Sequence, residues 1–314
     1  MNFALLFESF LKENSILCER VGKWYIFTDS RLAVRLVYLK EFEPLQNASS
    51  FSGKEFFAPE QIEHDCRNII LQKWDILYLF EDRWLSNSEY LKRRLLSRLG
   101  SFTSVFARKC RVIDNSAVKS DSTLHLQIKE FLRLYHTYSF TKCKYEYALE
   151  HNGEIVAVAT FSYPKKIFRP EYGREYFSYE WIRYASLPGV RVVGGMGRLL
   201  SAFLKSVTAG QNNRDIEQKS PVPDNLHNLN DVEIMSYSDN EWSQGDVYEK
   251  LSFKRVEERE SVLFYVDKST FRRYSVREFS KLALCEKSSP KELFQSGRYI
   301  KIFNMGSAKF LLHP

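Results

Sequence analysis

The stretch from Tyr179 to Lys205, YEWIRYASLPGVRVVGGMGRLLSAFLK, constrains this chain more than any other. An apolar, aromatic segment gives way to Pro188-Gly189, then to Gly194-Gly195-Met196-Gly197, then to a run in which Leu199, Leu200, Phe203 and Leu204 recur at helical spacing. The pattern predicts strand, glycine loop, helix. A helix that opens directly after glycines presents amide N–H groups without intrahelical acceptors, together with the positive end of its dipole. That arrangement suits a phosphate or a pyrophosphate. The same glycines also suit a tight strand-to-helix turn that binds nothing.

With 314 residues, 44% of them hydrophobic, the chain has enough apolar material for two modest domains. Its 24 Phe and 18 Tyr predict aromatic-rich cores. A net charge of +7 favours an acidic partner, and nucleic acid or a polyanionic cofactor would each fit. Cys18, Cys66, Cys110, Cys143 and Cys285 are far apart, with no C-x-x-C pair and no His at metal-ligand spacing. No metal is expected, and the cysteine pattern suits a reducing, intracellular compartment, cytoplasmic or organellar, better than a secreted one. No run approaches the roughly 18 to 20 apolar residues of a membrane helix, so no membrane partner is expected. The opening MNFALLFESFLKENSIL carries Glu8, Lys12 and Glu13 inside its apolar run and reads as a packed amphipathic helix rather than a signal peptide.

In chain order, Lys23–Phe27 and Leu32–Leu39 read as strands joined through Thr28-Asp29-Ser30, Pro59–Lys73 as a helix, Asp75–Phe80 as a buried strand and Ser86–Leu99 as a basic helix. Phe106–Ile113 reads as a basic strand, followed by a helix through Leu124, Ile128, Phe131 and Leu132. Tyr145–Phe161 is two alternating runs around Asn152-Gly153, the dipeptide of a tight hairpin. A polar insertion covers residues 209–231. It precedes a strand at Val232–Tyr237, a short helix at Asp246–Leu251 and a strand at Ser261–Val266. The tail holds a basic segment, Lys268–Arg277, and two short β-runs around Gly297 and Gly306.

Hairpin, strand, glycine loop, helix, strand and then Asp246–Phe253: in this order the segments from Phe106 to Val266 resemble the GNAT N-acetyltransferase superfamily. The resemblance implies a fourth strand that splays from the fifth, and a loop after the fourth strand whose backbone amides hold the pyrophosphate of acetyl-CoA. On this chain that loop corresponds to Arg191, Val193, Gly194, Gly195, Met196, Gly197 and Arg198, with Asn240 as a further cofactor contact. The family's Tyr-x-x-x-Gly-Phe signature is matched by Tyr248 and Phe253, with Ser252 in place of the usual Gly. The resemblance implies Tyr248 as proton donor to the departing thiolate and Glu180 as the general base or the group that orders its water. Asn240 stands one residue further from Tyr248 than is common in the family, and Arg191 and the glycines fit the loop in different registers.

A second resemblance spans most of the chain. ILYLFEDRW from Ile76 to Trp84, Ala107–Cys110, Phe131-Leu132 to His136, Val193–Gly195, Ser238-Asp239, Trp242-Ser243, Gly245 and Tyr248 form an ordered set. The set is similar to phage-type homing-endonuclease-like proteins that join a Vsr-like PD-(D/E)XK nuclease domain to a GNAT-like domain. Such a nuclease needs clustered carboxylates and a lysine around a divalent metal. Here Asp29 is a plausible first carboxylate or simply a turn residue, and Arg35 stands where a second acid is expected. An arginine there repels the ion. The reading is therefore a degenerate nuclease-like domain at residues 1–105, a GNAT-like domain at 106–266 and an extension at 267–314. The fold class is α/β (α+β), with a small mixed N-terminal domain and a mixed, mostly antiparallel sheet in the second.

Three functions follow: acetyl transfer from acetyl-CoA to an amine, non-catalytic DNA or RNA binding, and metal-dependent nuclease activity. For nucleic acid the candidate contacts are Lys92, Arg93, Arg94, Arg98, Arg108, Lys109 and Arg111, which could equally be solvated basic faces. The helix N-terminus accepts either kind of phosphate. Tyr248 and the strand order favour the first reading.

Overall fold

A computed structural model describes residues 2–46, 74–115, 122–208 and 228–314. The helix expected at Pro59–Lys73, Cys66, and all but the last four residues of the 209–231 insertion lie outside them. The chain divides into two compact units: Met1–Gly100 with Tyr237–Asp246 and Glu257–Ala308, and Ser101–Ser236 with Val247–Val256 and Lys309–Pro314. Residues 267–308 thus belong to the same unit as the N-terminal hundred.

In the first unit, Asn2 caps helix α1 (Phe3–Glu13) by accepting from the Ala4 amide at 3.1 Å. Phe3, Phe7, Phe10 and Leu11 recur on one face of α1 and are buried. Strands β1 (Glu19–Val21), β2 (Trp24–Phe27), β3 (Leu32–Val37) and β4 (Asp75–Phe80) form a sheet in that order. The first three pair antiparallel, while β3 and β4 are parallel. Helices α2 (Glu81–Ser86) and α3 (Ser88–Arg98) follow. Phe7 packs edge-on against Tyr25 at 4.9 Å and against Trp84 at 5.5 Å between ring centroids.

The same unit contains β14 (Leu263–Asp267), β15 (Arg273–Ser275) and β16 (Tyr299–Phe303), ordered β15-β14-β16. Helices α7 (Val276–Cys285) and α8 (Pro290–Gln295) open on the capping boxes Ser275/Glu278 and Ser289/Glu292. Val266, Ile300, Ile302 and Phe303 share one hydrophobic cluster with Val37, Phe42, Tyr78 and Phe80. The tail is therefore core material, which its separate hydrophobic runs do not reveal.

The second unit builds on β5 (Thr103–Phe106), β6 (Arg111–Asp114), α4 (Ser122–Tyr135), β7 (Tyr145–His151), β8 (Glu154–Phe161), β9 (Lys165–Arg169), β10 (Arg174–Ser186) and β11 (Val190–Val193). Helix α5 (Gly195–Thr208) follows, and β12 (Val232–Asp239), α6 (Asp246–Lys250), β13 (Lys254–Arg259) and β17 (Ser307–Leu312) each lie partly in this unit and partly in the first. The large sheet is ordered β13-β17-β12-β10-β8-β7-β6, with β9 also on β10. β6, β7, β8 and β10 pair antiparallel in succession, and β10 and β12 are parallel. The mixed, mostly antiparallel sheet expected of a GNAT-like domain is present. So is its order of hairpin, strand, glycine loop, helix and parallel strand. The hairpin turns where predicted, with Asn152 at φ 52° and Gly153 at φ 83°. Phe203 of α5 stacks on Phe161 at 3.9 Å and meets Tyr145 and Tyr179 edge-on. Helix α4 buries Ile128 and Leu132 in a separate cluster with Ala148 and Val158.

Two local expectations are corrected. Phe106–Ile113 is not one strand: a 3-10 turn at Ala107–Lys109 separates β5 from β6, closed by the Cys110 amide donating to the Ala107 carbonyl at 3.0 Å. A continuous strand would put Lys109 on the face of buried Ala107, whereas the turn buries Ala107 and Cys110 and leaves Arg108 and Lys109 in solvent. Between the expected fourth strand and the helix an additional strand, β11, pairs in parallel with β5. Among the described residues no helix is long and apolar enough to cross a membrane.

The buried Asp267 carboxylate supplies a pH prediction. Burial alone would push its pKa up, but Arg298, donating at 2.6 and 2.9 Å, and the Ser269 and Thr270 donors hold it down to about 2. A carboxylate depressed on folding contributes stability above its unfolded pKa of about 3.9 and loses it as pH falls through the folded value. Urea midpoints of the wild type and Asp267→Asn are therefore expected to differ at pH 5 and to converge between about pH 4 and pH 2.

Candidate functional site

The glycine loop is built by three separate demands. Gly194 adopts φ 76°, a left-handed conformation that turns the chain out of β11 and into α5. Gly195 is buried, and a Cβ there would lie 2.8 Å from the Tyr184 hydroxyl and 3.0 Å from Val192 Cγ1. At Gly197 a Cβ would lie 3.3 Å from Leu251 Cδ2. Turn and packing thus account for all three glycines. The first helical turn then closes with the Arg198 amide donating to the Gly194 carbonyl at 3.0 Å. The amides ahead of it have no intrahelical acceptor, and no acidic residue occupies the first turn to neutralise the dipole.

A groove of about 680 Å³ runs along α5, lined among others by Arg108, Val193, Gly194, Gly197, Arg198 and Lys205. It brings together two sets that the sequence kept apart, the loop residues and Arg108.

Beside the loop, β10 and β12 pair only from Phe177↔Val232 to Glu180↔Met235. Beyond Glu180, β10 bulges between Trp181 and Arg183 against β8 and runs on to Ser186. This is the splay expected between fourth and fifth strands. At the fork, Ser236 Oγ lies 3.0 Å from the Trp181 carbonyl oxygen and 2.9 Å from the Tyr248 hydroxyl. A serine has one proton, and the carbonyl can only accept. Ser236 therefore donates to Trp181 and is left to accept from Tyr248. Burial pushes the Tyr248 phenol up, so it stays protonated at neutral pH. Phe310 stacks on its ring at 5.0 Å, and Trp181 and Phe253 meet it at 6.3 and 5.5 Å. Ser252, in the place of the signature glycine, adopts φ 68°. That position ends α6 in a left-handed residue, which glycine fills without strain.

Glu180 is half-buried on β10, on the face opposite Tyr179 and Trp181, and its amide donates to Ser162 Oγ at 2.9 Å. Arg191 is exposed, its guanidinium 5.1 Å over Phe102, and neither it nor Met196 lines the groove. Asn240 belongs to the first unit, where its amide and side chain donate to the Gly306 and Met305 carbonyls at 3.3 Å. The loop and Tyr248 lie in the second unit.

The basic residues divide by partner. In α3, Lys92 pairs with Glu89, Arg98 with Asp75, and Arg94 lies 4.1 Å over the Trp242 ring; Arg93 is exposed. Arg111 forms a two-pronged pair with Glu150, whereas Arg108 and Lys109 are exposed. Asp29 is an exposed turn residue, and Arg35 pairs at 2.8 Å with Glu41, which also binds Lys23. Among the described residues no group of three His, Cys, Asp or Glu side chains could hold a metal. Ser236, Lys205 and Tyr184 were not singled out by the sequence. Lys205 was legible, seven residues from Arg198 on the same helical face, but Ser236 needed the register of the parallel ladder.

Two substitutions probe this architecture. Gly195→Ala is expected to lower stability by about 1–3 kcal/mol through overpacking, and adding Tyr184→Phe, which removes the nearest clashing atom, to recover part of the loss in urea midpoints. Ser252→Gly is expected to raise thermal stability by about 1 kcal/mol by relieving the left-handed strain.

No family model and no curated protein matches the chain. A solved structure of Arabidopsis thaliana Naa50 in complex with the bisubstrate analogue CoA-Ac-MVNAL is similar at 12% identity, with a TM-score of 0.33, and the match covers 65% of this chain and 98% of that one. The fold described above rests on strand order and register and not on this likeness.

Proposed function

We propose that the second unit binds an acyl-CoA, acetyl-CoA in the simplest case, and transfers its acyl group to an amine. The observation that carries this reading is the Tyr248 phenol, held by Ser236 at the point where β10 and β12 part. The α5 N-terminus adjoins it through Leu251, which packs where Gly197 has no side chain. The amides at the start of α5 take the pyrophosphate, since they have donors to spare and no carboxylate competes.

The acceptor amine must lose a proton to attack the thioester carbonyl, and the thiolate expelled from the tetrahedral intermediate must be stabilised. Glu180, projecting from the other face of β10, takes the amine proton directly or through a water. Tyr248, kept protonated by burial, turns its single O–H from Ser236 to the sulfur as charge develops there and supplies the proton as the thiolate leaves. Acid and base then stand on opposite faces of one strand, and the amine enters from the side of Glu180.

Calorimetry with acetyl-CoA, followed by coenzyme A thiol release with simple primary amines, tests the proposal. Tyr248→Phe is expected to lower kcat about a hundredfold or more with little change in acetyl-CoA affinity. The absence of binding heat at millimolar acetyl-CoA would sink it.

A further inference from the structure

We infer that the groove beside α5 binds the phosphates of single-stranded nucleic acid. Three cations line it, Arg108, Arg198 and Lys205, and none of the lining residues is a carboxylate. Among the described residues no salt bridge neutralises any of the three, in contrast to Arg111, which is tied to Glu150. Arg198 donates one hydrogen bond to the Cys110 carbonyl at 3.2 Å, while its Nε is buried with no hydrogen-bond partner among the described residues. Positive charge gathered in a concavity without counter-charge attracts a polyanion.

The shape narrows the ligand. Gly197, Ser201 and Ala202 give α5 a floor of small side chains, with Arg198 and Lys205 spaced along it by seven residues, about 10 Å at helical rise. That distance exceeds the step between adjacent phosphates of a strand. On the rim, Phe106 is 43% exposed, with the Arg108 guanidinium 5.1 Å from its ring. An exposed ring beside a line of cations offers a base a stacking surface and its backbone a track, the combination that holds single strands. Bases stacked inside a duplex cannot reach the ring, and a concave groove does not fit a flat membrane surface.

Arg108 and Lys205 are not needed for acyl-CoA binding as proposed above, so the two readings can fail separately. Fluorescence anisotropy of the full chain with a labelled twelve-residue oligo(dT) or oligo(U) is expected to show binding. Its log affinity should fall with log salt concentration with a slope of about 2, for three neutralised phosphates. The double variant Arg108→Glu/Lys205→Glu should weaken binding at least tenfold with the acetyl-CoA heat unchanged. Phe106→Ala should weaken it severalfold without changing the salt slope. The inference is overturned if the oligonucleotide is not bound at low salt, if the double variant binds it as the wild type does, or if a duplex of equal length binds more tightly. It is equally overturned if the double variant loses acetyl-CoA affinity and keeps the oligonucleotide, because the groove would then serve the coenzyme's own phosphates.

Discussion

The parallel ladder between β10 and β12 lasts four residue pairs, and the acyl transfer proposed for the second unit depends on its ending there. A ladder that continued would consume the backbone groups beyond Glu180 and Met235 and leave no opening for a ligand. Two features stop it. The bulge between Trp181 and Arg183 re-aims β10 toward β8. At the first step past the ladder, the Ser236 side chain takes over the Trp181 carbonyl that a backbone amide would otherwise satisfy. Having spent its proton on that carbonyl, Ser236 can only accept from Tyr248. The fork thus fixes the position of the phenol oxygen and gives its proton a resting acceptor, and so links a strand irregularity to the side chain proposed as proton donor.

The parts of this arrangement that were legible in the sequence are those whose signals are local. Asn152-Gly153 specifies its turn through positive φ at two successive residues, and α5 announces itself by glycines followed by an amphipathic run. β9 and β13 were missed because their residues are largely exposed and carry no apolar alternation. The segment around Ala107–Lys109 misled because its basic residues could alternate in a strand, whereas burial of Ala107 and Cys110 three apart requires a turn. The continuity of the units was hidden for a different reason. Val266, Ile300 and Ile302 are unremarkable as runs, and what places them with Val37 and Phe80 is packing between segments far apart in the sequence.

Buried charge shows the same limit of local reading. Asp82 sits inside ILYLFEDRW, where nothing in the sequence marks it for burial, yet it is fully buried and receives both prongs of Arg273 at 2.7 and 2.9 Å, with Glu241 on the third nitrogen at 2.8 Å. One guanidinium answers two carboxylates from distant segments. Burial raises the Glu241 pKa although Arg273 opposes it. Removing one member of such a network strands the others away from water, at about 3–5 kcal/mol. The arrangement specifies which segments come together more than it adds net stability.

Net charge, the property that first pointed to an acidic partner, becomes informative only after this pairing is resolved. The excess of +7 is a sum over the chain and does not say where an anion would bind. α3 has the densest run of cations, but the carboxylates of Glu89 and Asp75 already neutralise two of its four. The groove along α5 has fewer, separated in sequence by almost a hundred residues, and no carboxylate lines it. Coulomb attraction to a ligand scales with the charge left after internal neutralisation, and desolvated walls weaken its screening. A sparse set of unanswered cations in a concavity is therefore the stronger anion site than a dense set on an ordinary helix face.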